Sequence, residues 1–257
     1  ITYYLNKPHK VKLFDYEKGE IEMEMSTMDS IRYMVKFMHC AFVAMEPQTA
    51  HVKAWVGDID FNHWKYDKVT AQRQPGSTFK LFVYTEAMEQ GLTPCDKRRD
   101  EYFSMKVWDA TKKQEVTWAP TNANGTFSND SMPLRAAFAR SINSVAVRLG
   151  QEMGIKNIIE TAHVMGIKSP LDEAPALALG SSDVNLLEMA NAYSTVANDG
   201  KAHPEAILVT KILDREGNEI YVAPSEQKQA ISLKAAYFMQ KLLQAGMRDA
   251  GGTSQSL

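Results

Sequence analysis

Residues 73–91 read Arg73-Gln74-Pro75-Gly76-Ser77-Thr78-Phe79-Lys80-Leu81-Phe82-Val83-Tyr84-Thr85-Glu86-Ala87-Met88-Glu89-Gln90-Gly91. Pro75-Gly76 is a turn signal, and Gly91 suits the left-handed position that closes a helix. Phe79, Phe82, Val83 and Ala87 make an apolar stripe, and Leu81 and Tyr84 on the other side predict a helix of about 13 residues covered all round. Ser77 and Lys80, three apart, fall on one face of that helix. A serine is a poor nucleophile by itself. A lysine kept neutral by burial can take its proton, and the free N–H groups and positive end of the helix favour negative charge beside Ser77.

The spacing carries little weight alone. A chain with this many serines and lysines holds about one Ser-x-x-Lys by chance. Two occur, Ser77/Lys80 and Ser225/Lys228. The second lies among Glu226, Gln227 and Gln229, where a lysine stays solvated and charged. The first opens an apolar helix, which is what would desolvate Lys80. A capping serine beside a snorkelling lysine is the competing reading.

Downstream, Pro133 opens a helical run through Leu134 and Phe138 that halts at Ser141-Ile142-Asn143. Val145, Ala146, Leu149 and Met153 resume a helix, with Asn143 as the expected cap. Polar residues on such a break can converge on a pocket. Helices are expected over Ile155 to Met165, Val184 to Ala197 and Ser232 to Met247. One hairpin pairs 41–46 with 51–56. Another joins Ile207–Leu213 to Glu219–Val222 across Asp214–Asn218. Upstream, Asp29 or Ser30 is the expected cap of a helix with Ile31, Met34, Val35 and Met38 on one face, and its methionines read as core filler. Everything before it reads as an irregular or edge-strand lead-in. Separated hairpins and helical runs favour an α+β fold over a parallel βαβ sheet.

Composition narrows the function classes. With 257 residues, 44% hydrophobic and 23% charged, the chain buries a real core. A net charge of −2 points to neither nucleic acid nor an anionic membrane as partner. No run of about 18 apolar residues spans a bilayer. Ile1-Thr2-Tyr3-Tyr4-Leu5 lacks the features of a signal peptide, so any export or anchoring segment is expected outside this chain. Cys40 and Cys95 leave a disulfide and two free thiols equally open.

Arg73-Gln74-Pro75-Gly76-Ser77-Thr78-Phe79-Lys80 resembles the first active-site motif of class A penicillin-binding proteins, and Ser141-Ile142-Asn143 resembles the second, Ser-x-Asn. Met25-Ser26-Thr27-Met28-Asp29-Ser30-Ile31 is similar to the segment that links glycosyltransferase and transpeptidase domains there. Further similarity lies in Ala44-Met45-Glu46-Pro47, Ala54-Trp55-Val56-Gly57, Trp118-Ala119-Pro120-Thr121-Asn122, Leu179-Gly180 and Leu187-Glu188-Met189-Ala190-Asn191-Ala192-Tyr193. The resemblance covers residues 20 to 250.

It implies the penicillin-binding/β-lactamase-like transpeptidase fold, an antiparallel sheet flanked by helices with an all-helical subdomain. Residues 1–29 would be an interdomain lead-in and 30–257 the transpeptidase domain. The third family motif, Lys-Thr/Ser-Gly, does not occur in this sequence, since Gly251-Gly252-Thr253 lacks the lysine. The domain is therefore expected to be incomplete at its C-terminus, without its closing strands. The implied activity is a peptidoglycan D,D-transpeptidase working through a serine acyl-enzyme. Ser77 would be nucleophile, Lys80 general base, Ser141 proton relay, and Asn143 the group that orients Lys80 and substrate. Stem peptides and β-lactams are the implied partners, with no metal or organic cofactor, in an extracytoplasmic setting anchored through segments outside this chain. The alternatives are a serine β-lactamase or β-lactam sensor, and a catalytically inactive binding module. Ser-Ile-Asn in place of Ser-Asp-Asn, and the lack of Glu-x-x-Leu-Asn, weigh against a class A β-lactamase.

Overall fold

The computed structural model describes residues 2–109 and 112–255. Its contacts divide the chain into two units: residues 1–42 with 55–71, and residues 43–54 with 72–257.

In the first unit, a short helix α1 (Thr2–Leu5) precedes strands β1 (His9–Asp15) and β2 (Gly19–Met25), paired antiparallel from His9↔Met25 to Asp15↔Gly19. Of the two readings of the lead-in, irregular or edge strand, the Glu22-Met23-Glu24-Met25 alternation takes the second, as part of a two-stranded ladder. The turn is closed by Asp15, whose Oδ1 accepts from the N–H groups of Glu17 and Lys18. Phe14 is the hub, edge-on to Phe37 and Trp64 with centroids 5.3 Å away in each case.

Helix α2 (Thr27–Met34) is capped by Ser26, whose Oγ accepts from Asp29 N at 3.1 Å, and not by Asp29 or Ser30. It ends after eight residues, so Met38 lies beyond it. The expected apolar stripe stays uncovered: Ile31, Val35 and Met38 are exposed, and α2 buries no residue.

Strands β3 (Phe42–Met45) and β4 (Val52–Val56) form the expected first hairpin. In the second unit, Gly76–Phe79 is one turn of 3₁₀ helix that runs directly into α3 (Lys80–Glu89). The single helix expected there therefore starts with a tighter turn. Every residue from Lys80 to Met88 is buried.

Short strands follow: β5 (Lys97–Arg99), β6 (Met105–Asp109), β7 (Gln114–Trp118) and β8 (Ser131–Pro133), with β5 on β8 and β6 on β7, both antiparallel. Helices α4 (Leu134–Ala139), α5 (Asn143–Met153) and α6 (Ile155–Val164) come next, then a 3₁₀ turn at Pro175–Leu179 and α7 (Leu186–Ala197). The chain continues through β9 (Lys201–Ala202), β10 (Lys211–Leu213), β11 (Glu219–Val222), β12 (Lys228–Gln229) and α8 (Leu233–Arg248).

Helix α3 is the axis of this unit, packed by α5, α6 and α8. Phe82, Leu149, Ile158, Met239 and Leu242 are among the side chains fully buried around it, each contributing about 1.5–3 kcal/mol by leaving water. The mixed helix-and-strand architecture is the α+β class that the sequence implies. Among the described residues its strands pair two by two, and helices carry the core. No described helix is long and apolar enough to cross a membrane. Cys40 and Cys95 are both free and exposed.

Candidate active site

Lys80 begins α3 and is 2% exposed. A lysine so deep needs oxygen partners, and it has three. Its Nζ lies 2.8 Å from Ser141 O, 2.9 Å from Ser141 Oγ and 2.7 Å from Asn143 Oδ1. None of these carries a charge. Burial therefore acts unopposed and lowers the Lys80 pKa from its ordinary 10.5 to about 8. Residues 61 and 63 positions downstream of the lysine are thereby joined to it.

The helix break at Ser141 is what delivers them. Ser141 adopts a left-handed backbone, φ 54°, which is strained for a residue with a β-carbon. That turn lets both its carbonyl and its hydroxyl reach one ammonium group. Asn143 stands at the first position of α5, and Ile142 occupies the cap position. The expected capping role of Asn143 is thus corrected: its side chain is diverted, Oδ1 to Lys80 and Nδ2 to Thr121 O at 2.8 Å. The bond to Thr121 also decides which end of the carboxamide faces the lysine.

Ser77 sits one turn before Lys80, in the 3₁₀ turn, and is exposed. Its hydroxyl has no hydrogen-bond partner among the described residues, and Lys80 is bonded to Ser141 and Asn143 instead. The four residues singled out in the sequence therefore fall into a bonded trio and one free hydroxyl on the adjoining turn.

That turn is held from outside by the segment that follows α6. Arg73 exchanges backbone bonds with Val184, Arg73 N to Val184 O at 2.9 Å and the reverse at 3.0 Å. Tyr193 Oη donates to Thr78 O at 3.1 Å. Gly180, at φ +75°, lies so close to Gly76 that a β-carbon there would stand 2.3 Å from the Gly76 oxygen. The Leu179-Gly180 and Tyr193 signals of the sequence thus act as a clamp on the serine turn. Sequence reasoning missed Asp100 and Ser144, which lie behind Asn143, and saw Asn122 only as part of a familiar string.

Residues 40–256 match the family model of the penicillin-binding protein transpeptidase domain. The chain belongs to the penicillin-binding protein transpeptidase family. Residues 1–38 match the penicillin-binding protein middle domain. Penicillin-binding protein 2D of Bacillus subtilis is 35% identical over 209 residues, which cover 81% of this chain and 29% of that protein. Penicillin-binding protein 1A of Rickettsia prowazekii is 36% identical over 182 residues, 70% of this chain and 22% of that protein. The chain thus spans less than a third of the length of these relatives. Their kinds place it with the class A penicillin-binding proteins. Among solved structures, penicillin-binding protein 1A from Haemophilus influenzae superposes with a TM-score of 0.77 at 23% identity, covering 95% of this chain and 40% of that one. PonA1 from Mycobacterium tuberculosis, in complex with penicillin V, gives 0.66 at 20% identity over 97% of this chain and 68% of that one. At these identities the likeness is one of fold.

Proposed function

We propose that this chain carries the serine D,D-transpeptidase site of a class A penicillin-binding protein. Ser77 Oγ attacks the carbonyl between the two terminal D-alanines of a peptidoglycan stem peptide, and its proton passes to neutral Lys80. The C–N bond breaks, and the departing D-alanine amine takes a proton through Ser141. An amine on a neighbouring strand then attacks the Ser77 ester, gives up its own proton and leaves the serine free.

The observation that carries this reading is the set of partners around Lys80. Ser141 O and Asn143 Oδ1 only accept hydrogen bonds, whereas the Ser141 hydroxyl can accept or donate. An ammonium gives three hydrogens to the three oxygens. A neutral amine gives two and receives the Ser141 proton on its lone pair. Lys80 can thus change protonation state without leaving any partner unpaired, which suits a group that must take and return a proton near pH 8. The N–H of Ser77 lies in the first turn, where a helix leaves donors unused, and suits a developing oxyanion.

β-Lactams would acylate Ser77 in the same way. Penicillin-binding protein A of Mycobacterium tuberculosis has been solved as an imipenem acyl-enzyme, and the fold is shared. The setting that follows is extracytoplasmic, with anchorage, glycosyltransferase activity and the amine acceptor belonging to the whole protein. A labelled penicillin should attach to the protein and fail to attach to Ser77→Ala; labelling that survives this change refutes the nucleophile. An acyl-enzyme that persists for hours supports the transpeptidase, and turnover within seconds favours a β-lactamase instead.

A further inference from the structure

Asn143 cannot cap its own helix, because its side chain is committed to Lys80 and Thr121. The first N–H groups of α5 nevertheless find an acceptor. Asn122 Oδ1 accepts from Asn143 N at 2.9 Å and from Ser144 N at 3.2 Å. It is a helix cap supplied from a loop 21 residues upstream.

Asn122 is itself held at both ends. Its Nδ2 donates to Asp100 Oδ1 at 2.8 Å and to Thr126 O at 2.9 Å. Asp100 Oδ1 also accepts from Ser144 Oγ at 2.6 Å, and Oδ2 accepts from Ser128 N at 2.9 Å. Asp100, Asn122 and Ser144 are 3%, 6% and 0% exposed. Burial alone would raise the Asp100 pKa, but the bonds from Ser144, Ser128 and Asn122 outweigh it and hold the carboxyl below the usual carboxylate range. Lys80 and Asp100 are the titratable groups tied into this network.

We infer that Asn122 and Asp100 are positioning residues of the Lys80 site, a remote cap that sets where α5 begins and turns the Asn143 oxygen towards the lysine. The inference rests on the acyl-serine reading only for its effect on rate. The same stretch fixes Asn143 twice, through Asn122 Oδ1 on its N–H and through Thr121 O on its carboxamide. Asp100 is the anchor that keeps the Asn122 oxygen pointed at the helix rather than at solvent. Without the cap, Asn143 frays with the first turn of α5, and Lys80 loses an acceptor while gaining water.

Two readouts test it, one of which needs no chemistry at Ser77. The titration of Lys80 is followed by NMR in lysine-labelled protein, and penicillin acylation is timed against pH. Asn122→Ala should raise the Lys80 midpoint towards that of a free lysine and slow acylation about tenfold or more. Asn122→Asp should do the same by setting a carboxylate against Asp100. Asn122→Asp combined with Asp100→Asn reverses donor and acceptor across that pair, though Thr126 O then faces a carboxylate oxygen, and should recover part of what Asn122→Asp loses in both readouts. Lys106→Ala, at an exposed position on β6 outside this network, should leave both unchanged. If folded Asn122→Ala keeps the wild-type Lys80 midpoint, or only reduces the fraction of protein that labels, the positioning role is overturned. Should Asn122→Ala not fold, failure of the double exchange to recover any of what Asn122→Asp loses overturns it equally. Labelling of Ser77→Ala would overturn the acyl-serine reading while leaving the Lys80 titration to decide this one.

Discussion

Gly180 stands against Gly76 with no room for a methyl group between them: a β-carbon on residue 180 would meet the Gly76 oxygen at 2.3 Å and its nitrogen at 2.6 Å. These are backbone atoms, and cannot swing aside as a side chain would. Gly76 precedes Ser77, so any relief of the clash moves the serine. Gly180→Ala should therefore cost about 1–2 kcal/mol from its left-handed backbone alone, and reduce penicillin acylation far more than stability accounts for. Acylation rates on protein shown to be folded by its melting curve check this; an unchanged rate would show that the turn has slack.

Lys80 links the site to pH. Its folded pKa, about 8, lies below the unfolded 10.5. Below pH 8 the lysine is charged in both states, and the folded state bears the full cost of a buried ammonium. Above 10.5 it is neutral in both and the cost is gone. Stability contributed by this group thus rises with pH between about 8 and 10.5, by up to about 3 kcal/mol. In urea unfolding across that range, the stability of wild type should rise relative to that of Lys80→Met; a constant difference would refute the shift. With Lys80 as the proposed general base, acylation should rise with pH to a midpoint near 8.

Ser141 should show opposite demands of folding and chemistry. Its φ of 54° favours glycine, so Ser141→Gly is expected within about 1 kcal/mol of wild-type stability. The change removes the hydroxyl that can either give or take a proton. Acylation should fall about 10²–10⁴-fold, and stopped-flow labelling beside urea titration would separate the two effects.

Phe82 is fully buried on α3, 4.8 Å from Phe79 between ring centroids. Phe82→Ala should destabilise by about 3–5 kcal/mol, read as a shift in the urea midpoint. It lies on the helix that carries Lys80, so loss of labelling should follow loss of fold and not precede it.

The serine, the lysine and their helix were legible because apolar density around a Ser-x-x-Lys is a local signal. Ser141 and Asn143 were legible as an interruption in a helical run. What they touch was not, because the lysine and its acceptors lie more than 60 residues apart and only the packing of α3 against α5 joins them. Asn143 was misread as a cap for a physical reason: asparagine is good at that task, and nothing nearby in sequence shows that Asn122 performs it instead. Strands β5 and β8 escaped notice because Lys97-Arg98-Arg99 is charged, short and paired with residues over 30 positions away. The β1–β2 ladder showed its alternation openly, yet most of β2 remains exposed, so it lacked the buried face that makes a strand convincing.

The three oxygens around Lys80 are all neutral, and that has a consequence for how the site responds to its surroundings. An amine tuned by a nearby carboxylate would drift as dissolved ions weakened that attraction. Here acidity comes from enclosure, and a Debye atmosphere finds no opposing charge to mask. The midpoint of the labelling profile should stay put between dilute buffer and molar sodium chloride, so that swings in ionic strength leave the chemistry of this lysine where the fold has set it.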